Sequence, residues 1–496
     1  MCFKGQGSIA IVAVLNYQWY LAGMIRFKNT MRKPNFLTGQ RLLELVFAGS
    51  IFGLVAGCAP QDTATAWVDV APEDNLGTVT TLSWSAVEEY SAGWVEVLLD
   101  GEIVATVEAL ADEDIVISSL LPSTDYDYRL IVESEFGAEI VAEGEFTTQS
   151  PPSSLPEINI VGRPSGVTDS AIFVATFMSS DTSLVAFDSA GRYRWWHIRD
   201  NESLSTRAMP SRDGTAVYDI GFPTAEVVAS KSYSDADFFI MRTEVAAQET
   251  TVYEVPMAHH DMVELPDGKL AYLAFSPDPH DAGRPNGDAI IELDPKTGET
   301  AVVWTTWDTF AYEEDSGMEL DFGWAGANAL DFDEDENAYY VSARALSSIT
   351  KIDRDTGVAD WVFGAEGDFQ MRGLGGFPEG QHQFEALNHS LLVFDNGQAS
   401  LMSSRVVEYA LDEQRMETTE VWAWEANPEI YVYSLGDVKR LANGNTLVVW
   451  STAGAIDEVR EDGSLQWSLN LGLGAGIGYL SLAAADPLGV NLFSAL

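Results

Sequence analysis

Residues 349–361 read ITKIDRDTGVADW: an apolar run, a polar turn of the D-x-x-G kind, and a second run that ends in Trp. Two short apolar segments around such a turn predict a β-hairpin. The same unit recurs at residues 184–196, 291–304, 406–422 and 456–467. A weaker copy covers residues 238–253. The closing aromatic residues follow one another at intervals of roughly 50 residues, which indicates a repeat architecture.

A second unit, of the form x-L-x-x-G followed by apolar residues, alternates with the first. Its copies end at these positions: Gly214, Gly268, Asn337, Ser390, Gly444 and Gly489. Six interleaved copies of each hairpin predict six four-stranded antiparallel sheets around one axis. We therefore expect an all-β protein with a six-bladed β-propeller over residues 157–496. A pair of ordinary β-sandwiches is the alternative, and it does not predict such a regular repeat.

The segment before the propeller, residues 66–149, also alternates between strands and turn signals without a helical period. It predicts a small β-sandwich, and residues 150–156 form a linker rich in Pro and Ser. Trp84 falls on an early strand, and the run LPSTDYDY at 121–128 places tyrosines near the start of a later strand. These features resemble a fibronectin type III domain, in which a tyrosine hydroxyl holds the preceding corner.

Residues 1–58 have the pattern of a bacterial lipoprotein signal. A basic stretch over 26–41 precedes an apolar run over 45–56, and small residues then lead to Cys58. We expect Cys58 to be lipidated. A short transmembrane anchor is the alternative, although the apolar run is short for a membrane span.

The true start of the chain is expected at Met24 or Met31, and residues 59–65 would form a polar tether. Ala59, directly after the lipidation site, carries no inner-membrane retention signal. The expected location is therefore lipid-anchored, on the periplasmic side of the outer membrane or at the cell surface.

The charge balance narrows the classes of partner. The chain has 76 acidic and 27 basic residues, for a formal net charge of −49. Such a protein has no general electrostatic footprint for nucleic acid, and it would contact an anionic membrane only through its anchor. Because it has two cysteines, Cys2 and Cys58, a disulfide framework is excluded for the folded body. The oligomeric state stays open.

Repeat-equivalent residues on the innermost strands of a propeller face one another across the central channel. The x-L-x-x-G unit is expected to contain that strand. Counting eight residues back from Gly268 and Ser390 gives His260 and His382. The corresponding positions of the other copies are Thr206, Gly436, Ser481 and the stretch 324–328. Two of only six histidines at one repeat position predict a functional site on the axis.

Several motifs near these positions resemble those of the bacterial arylsulfotransferases, in the same order. They are HHDMVELPDG (259–268), YVSAR (340–344), IDRDTG (352–357), WVFG (361–364), HQFEAL (382–387), LVFDNG (392–397) and SRVVEY (404–409). The resemblance covers most of residues 155–450.

This resemblance implies transfer of a sulfuryl group from an aryl sulfate ester to a phenol without the nucleotide donor PAPS, and it requires no cofactor or metal. His382 would be the nucleophile and become a sulfohistidine. His260, or its neighbour His259, would contact the sulfuryl oxygens or protonate the leaving phenolate. Arg344 would balance the charge on the oxygens.

On the same resemblance, the residues that would bind substrate are His259, Asn328 and Arg405. The residue types suit the chemistry. Neutral imidazole is a competent nucleophile near neutral pH, and a guanidinium is a permanent cation. Fixed cationic donors stabilise the negative charge that spreads over the transferred group.

One departure from the family pattern affects the prediction of activity. The family normally has a D-W-x-H-x-N segment whose His lies eighteen residues before the arginine of its S-S-R motif. Here DFGWAGAN at 321–328 places Gly326 at that position. The alternative to an enzyme is therefore a weak or inactive propeller that binds a ligand or glycan at the cell surface.

Overall fold

The computed structural model describes most of the chain after residue 66 and shows an almost wholly β protein. The described ranges are 67–72, 78–85, 92–110, 113–118, 120–134, 137–179, 182–199, 204–223, 237–246, 249–280, 284–312, 323–397, 402–472 and 474–484. The predicted lipidation site Cys58, the tether and Gly489 lie outside these ranges. No helix within them is long or apolar enough to cross a membrane.

The first seven strands form a β-sandwich, as predicted. The strands are β1 (Trp67–Pro72), β2 (Thr80–Ser85), β3 (Ala92–Leu99), β4 (Glu102–Leu110), β5 (Asp114–Ile117), β6 (Asp125–Ser134) and β7 (Gly137–Thr147). One sheet has the order β1-β2-β5 and the other β4-β3-β6-β7, with a shared apolar core that includes Trp84. The Tyr126 hydroxyl accepts a hydrogen bond from the Leu121 amide at 2.8 Å. The more specific fibronectin type III assignment stays a prediction.

Six further sheets follow, each with four or five strands. Blade 1 holds β9 (Ala171–Met178), β10 (Thr182–Asp188) and β11 (Tyr193–Ile198). Blade 2 holds β12 (Leu204–Pro210), β13 (Ala216–Phe222), β14 (Phe239–Glu244) and β15 (Thr250–Glu254). Blade 3 holds β16 (Ala258–Glu264), β17 (Leu270–Ser276), β18 (Gly287–Leu293) and β19 (Thr300–Thr305).

The remaining blades repeat the pattern. Blade 4 holds β20 (Ala327–Asp333), β21 (Ala338–Ala343), β22 (Ser348–Asp353) and β23 (Ala359–Phe363). Blade 5 holds β24 (Gln370–Arg372), β25 (Phe384–Leu387), β26 (Ser390–Asp395), β27 (Arg405–Asp412) and β28 (Glu417–Trp424). Blade 6 holds β29 (Asp437–Arg440), β30 (Thr446–Trp450), β31 (Ala455–Val459) and β32 (Leu465–Leu471). Short helical turns occupy α1 (Gly166–Asp169), Thr306–Asp308 and Ser451–Ala453.

The ends of the propeller close the ring by strand exchange. The short strands β33 (Gly476–Ile477) and β34 (Ser481–Ala484) both pair with β9, so the last described strand is the innermost strand of blade 1. At the other end, β8 (Ile158–Gly162) adds a fifth, outer strand to blade 6. The sequence repeat placed Ser481 on an innermost strand but gave no sign that this strand belongs to the first blade.

The apolar core confirms the ring. Every neighbouring pair of blades shares one cluster of buried side chains, and the sixth cluster joins blade 6 to blade 1. The closing aromatic residues of the sequence repeat lie in this layer, and Trp304 and Trp467 are almost fully buried. Burial of such large rings contributes most of the apolar area that holds adjacent sheets together. The predicted six-bladed β-propeller is the observed fold.

Candidate functional site at the propeller axis

The innermost strands carry bulges where the sequence repeat places its axial positions. Pairing with the next strand shifts register between His259 and Met262 in β16, and between Ala327 and Ala329 in β20. A bulge leaves residues unpaired and turns their side chains out of the regular alternation. His260 lies in this bulge with φ of +56°, a strained backbone conformation for a residue other than glycine. The orientation of the His260 side chain therefore comes at the cost of local backbone strain.

His382 lies just before β25 and is held in one tautomer. Its Nδ1 is 2.8 Å from Oδ1 of Asn396. The amide nitrogen of Asn396 donates to the carbonyls of Val432 and Leu435, both at 2.8 Å, which fixes its oxygen toward the ring. His382 Nδ1 must therefore be the donor, and Nε2 keeps its lone pair.

The surroundings of His382 keep its ring neutral. The side chain is 3% exposed, and its pKa is lowered to about 3. Burial is the largest cause of this shift, and the Arg344 guanidinium and His260 act in the same direction. Asn396 partly opposes these effects because it accepts from the ring. Near neutral pH the group is therefore an uncharged imidazole, the form that can attack an electrophile.

Arg344 stands at the mouth of the same site. Its backbone amide donates to the carbonyl of Gly326 at 2.9 Å. One terminal nitrogen donates to the Tyr433 carbonyl at 3.3 Å, and the guanidinium carbon lies 4.8 Å from the centre of the Tyr433 ring. The buried Nε has no hydrogen-bond partner among the described residues. A cation stacked on an aromatic ring keeps its charge and some of its donors for a ligand.

His260 completes the group. Its ring stacks on Phe222 with centroids 5.2 Å apart, and its carbonyl accepts from the Thr206 hydroxyl. Burial lowers the pKa of His260 well below the ordinary value, and His259 and then Arg344 lower it further. Because each of His260, Arg344 and His382 is within electrostatic range of the other two, the structure brings the three predicted catalytic side chains together.

The other predicted binding residues lie in three different settings. Asn328 belongs to the site layer, since its amide nitrogen donates to the Gln381 carbonyl at 2.9 Å, while its oxygen has no partner within the described ranges. His259 is fully buried behind His260 and packs on Phe275 with centroids 4.2 Å apart. It therefore cannot contact substrate directly, because its ring is enclosed between those of Phe275 and His260.

Arg405 also departs from its predicted role in substrate binding. Its Nε donates to Asp395 Oδ2 at 2.9 Å, and a terminal nitrogen lies 3.4 Å from Glu420 Oε2. Both partners belong to the same blade, so the charge of Arg405 is used within blade 5. The sequence motif placed the arginine on its strand but could not show which carboxylates lie beside it.

A buried polar network forms the floor of the site. Asp261, the residue after His260, accepts from the guanidinium of Arg207 and from the amide of Leu330 at 2.9 Å. Gln383, the residue after His382, donates its side-chain amide to the same carboxylate. Residues of four blades thus meet at the two oxygens of Asp261, and these hydrogen bonds hold the two histidine-bearing segments at a fixed distance.

Two residues that the sequence analysis did not select take part in the site. Asn396 fixes the tautomer of His382, and it sits inside the LVFDNG stretch that carried the resemblance. Asp288 contacts His259 from the third strand of the same blade, β18. Nothing in the local sequence distinguishes Asp288 from the rest of the 76 acidic residues of the chain.

Residues 157–467 match the sequence profile of the arylsulfotransferase (ASST) family. The chain belongs to this family. The match spans well over half of the chain and covers all the site residues described above. Membership gives the protein the general character of an aryl sulfotransferase-type enzyme. In a separate comparison, no curated protein matches the chain significantly.

Solved structures with a similar arrangement of strands are distant in sequence. A protein of unknown function from Bacteroides caccae has 14% identity and a TM-score of 0.42, over 63% of this arylsulfotransferase chain and 99% of its own. The periplasmic gluconolactonase of Pseudomonas aeruginosa has 12% identity and a TM-score of 0.35, over 80% and 100%. A catalytically inactive virginiamycin B lyase from Staphylococcus aureus has 11% identity and a TM-score of 0.34, over 63% and 88%. The fold assignment rests on the six sheets themselves.

Proposed function

We propose that this arylsulfotransferase family member moves a sulfuryl group from an aryl sulfate ester to a phenol through a covalent sulfohistidine on His382. The observation that carries the proposal is the fixed tautomer of His382, whose Nδ1 is bound by Asn396 at 2.8 Å. The lone pair on Nε2 is then the reactive one, beside a permanent cation.

In the first half-reaction, His382 Nε2 forms a bond to sulfur while the bond from sulfur to the phenolic oxygen breaks. Arg344 offers positive charge to the sulfuryl oxygens, where negative charge is greatest in the transition state. His260 lies beside this centre, and a proton donated to the leaving phenolate would contribute about 10²–10⁴ in rate. The products of this step are a free phenol and sulfo-His382.

In the second half-reaction, a different phenol takes the first one's place. Its hydroxyl oxygen attacks sulfur, the bond to His382 Nε2 breaks, and the phenolic proton leaves to His260. The same residues act in reverse, so donor and acceptor need only share an aromatic ring and one oxygen. Small aryl sulfates and phenols are the proposed substrates, with no cofactor in either step.

The second candidate function is ligand binding without turnover, and Gly326 is the observation that favours it. The Gly326 carbonyl accepts from the Arg344 amide, so the missing side chain of the family pattern would have stood next to that arginine. Loss of one donor to the transferred group costs about 2.7–4 kcal/mol of transition-state stabilisation in comparable sites. A site weakened in this way could still hold an aryl sulfate.

The test is release of p-nitrophenol from p-nitrophenyl sulfate by the purified chain, with phenol as acceptor. We expect turnover in the wild type, none above background in His382→Asn, and wild-type turnover in His389→Asn. His389 is the matched control because it is exposed and occupies a hairpin turn at φ of +61°, a conformation that asparagine tolerates. Saturable binding of the donor without turnover in the wild type would instead support the ligand-binding candidate.

We also propose that the enzyme is held at a membrane surface by lipid on Cys58, on the periplasmic side of the outer membrane or at the cell surface. The proposal is supported by the signal pattern of residues 1–58 and the small residues before the cysteine. Replacing Cys58 with Ser should move the protein from the membrane fraction to the soluble fraction. Unchanged membrane association of the variant would contradict the lipid anchor.

A further inference from the structure

Three side chains form a continuous buried row that leads away from the catalytic site. His260 Nδ1 lies 2.9 Å from His259 Nδ1, and the two rings meet edge to face. His259 Nε2 then lies 3.2 Å from Oδ1 of Asp288. His259 and Asp288 are both 0% exposed, so solvent does not interrupt the row.

The carboxyl group of Asp288 is held by neutral partners. Its Oδ2 accepts from the Ala327 amide at 3.0 Å. The backbone of Asp288 is held separately, because its amide donates to the Thr306 hydroxyl at 2.9 Å. Oδ1 of Asp288 lies 3.2 Å from Nε2 of His259, and neither atom has a partner with hydrogen-bond geometry among the described residues. A buried carboxylate without a cationic partner is costly, and the cost is avoided by binding a proton.

The electrostatics of the row agree with this arrangement. Burial raises the pKa of Asp288 to about 8 and lowers the pKa of His259 to about 3, although the carbonyl of Ala274 opposes the second shift. Near neutral pH the carboxyl group is thus protonated and both imidazoles are neutral.

One set of protons is compatible with the order of groups in the row. With a small turn of the His259 ring, Asp288 can donate its hydroxyl proton to Nε2 of His259, and His259 can donate from Nδ1 to Nδ1 of His260. His260 then carries its single proton on Nε2, on the side of the ring opposite to His259. The row ends in a donor at the catalytic site and contains no buried charge.

We propose that Asp288 stores the proton of the reaction and that His259 relays it between Asp288 and His260; this proposal rests on the sulfuryl transfer proposed above. When the bond from sulfur to oxygen breaks, the phenolate takes the Nε2 proton of His260. His260 Nδ1 takes the proton of His259 Nδ1, and His259 Nε2 takes that of Asp288. The relay then holds one carboxylate and two neutral imidazoles.

The second half-reaction refills the relay. As the acceptor phenol attacks sulfo-His382, its proton goes to Nε2 of His260, and the transfers run back until Asp288 is protonated again. No proton enters from solvent or leaves to it, so donor and acceptor exchange both a sulfuryl group and a proton. His259 and Asp288 are positioning and relay residues, because neither contacts substrate.

The decisive variant is Asp288→Asn. The asparagine amide can donate to His259 Nε2 and its oxygen can accept from Ala327, so the rings keep their places, but no proton can be given up. Phenyl sulfate releases phenolate, which is a strong base because phenol has a pKa of about 10, as in tyrosine. p-Nitrophenyl sulfate releases p-nitrophenolate, which is a much weaker base and needs little protonation.

In single-turnover experiments without acceptor, which follow the first half-reaction alone, we expect Asp288→Asn to slow phenol release from phenyl sulfate by about 10²-fold or more and p-nitrophenol release from p-nitrophenyl sulfate by less than about 5-fold. The control is Asp457→Asn, which replaces a hydrogen-bonded aspartate on the third strand of blade 6 and should slow neither donor. Equal losses with both donors in Asp288→Asn, or no loss with either, would overturn the relay.

A second measurement tests the protonation states of the relay histidines and does not depend on turnover. In the wild-type protein labelled with ¹⁵N-histidine, the nuclear magnetic resonance spectrum should show His259 protonated on Nδ1 and His260 on Nε2, both neutral at pH 7. An imidazolium at either position, or His260 protonated on Nδ1, would overturn the relay. If the spectrum is as expected but the wild type turns over neither donor, the proposed function fails and the proton arrangement stands.

Discussion

Gln383 reaches across the axis and donates its side-chain amide to the carboxylate of Asp261. These are the residues that follow His382 and His260 in the chain, so one hydrogen bond links the two segments that carry the histidines. Asp261 also accepts from Arg207, and the pair is almost fully buried. The relative placement of the two imidazoles thus depends on a contact that neither of them makes.

Replacing Gln383 with Leu should therefore loosen the site. Asp261 keeps Arg207 but loses one donor, and we expect a loss of about 1–3 kcal/mol in the free energy of unfolding, measured by urea titration. Turnover should fall by about tenfold, since small misplacement of reacting groups is costly. Gln466→Leu, at a surface position that donates to a carbonyl, is the control. Full activity in Gln383→Leu would show that the link does not position the histidines.

Replacing Asn396 with Ala should impair catalysis more than folding. The side chain selects the Nδ1 tautomer of His382 through its 2.8 Å contact, and without it the ring can rotate or protonate on Nε2. We expect kcat to fall by about 10²-fold or more, because wrong tautomers are severely penalised in comparable sites. The measurement is kcat and KM with p-nitrophenyl sulfate. A rise in KM with unchanged kcat would contradict the tautomer argument.

The protein should lose stability in mild acid through His382. Its folded pKa of about 3 lies below the value of about 6.5 for an unfolded histidine, because burial and the nearby Arg344 and His260 disfavour the cation. The neutral ring's contribution is therefore fully present above about pH 6.5 and is lost as the pH falls toward 3.

The wild type should lose about 2 kcal/mol more than His382→Asn between pH 6 and pH 4.5, at about 1.4 kcal/mol per pH unit. Urea unfolding at a series of pH values measures the difference, and the comparison cancels the titration of the acidic surface. Parallel curves for the two proteins would mean that His382 is not held neutral.

Gly326→His should raise activity and lower stability. Gly326 has φ of +63°, close to the φ of +56° that His260 adopts in its own bulge, so a histidine there would take the same strained backbone. We expect a loss of about 1–3 kcal/mol in unfolding free energy. The added donor beside Arg344 should increase kcat by up to about 10²-fold. A variant that folds but gains no activity would show that Gly326 is not the reason for a weak site.

Much of the fold could be predicted from the sequence because the repeat fixes it. The D-x-x-G and x-L-x-x-G hairpins are local, and their period gave six blades and put His260 and His382 on the axis. The assignment of β34 to blade 1 could not be predicted, because ring closure pairs strands about 300 residues apart and leaves no local signal.

Only part of the site could be predicted from the sequence repeat. A strand period tells which residues face the axis, but the bulge after His259 interrupts that alternation, so the period does not show that His259 lies behind His260. The partners of a side chain come from other blades, so the roles of Asn396, Asp288 and Arg405 appear only in three dimensions.

The central claim is that His382 carries the sulfuryl group between donor and acceptor. The most direct measurement is the intact mass of the protein after incubation with p-nitrophenyl sulfate without acceptor, followed by peptide mapping. We predict an added mass of about 80 Da, that of SO₃, on His382, which disappears when phenol is added and is absent from His382→Asn. An unmodified wild-type protein that still turns over the donor, or an adduct that persists in His382→Asn, would contradict the account.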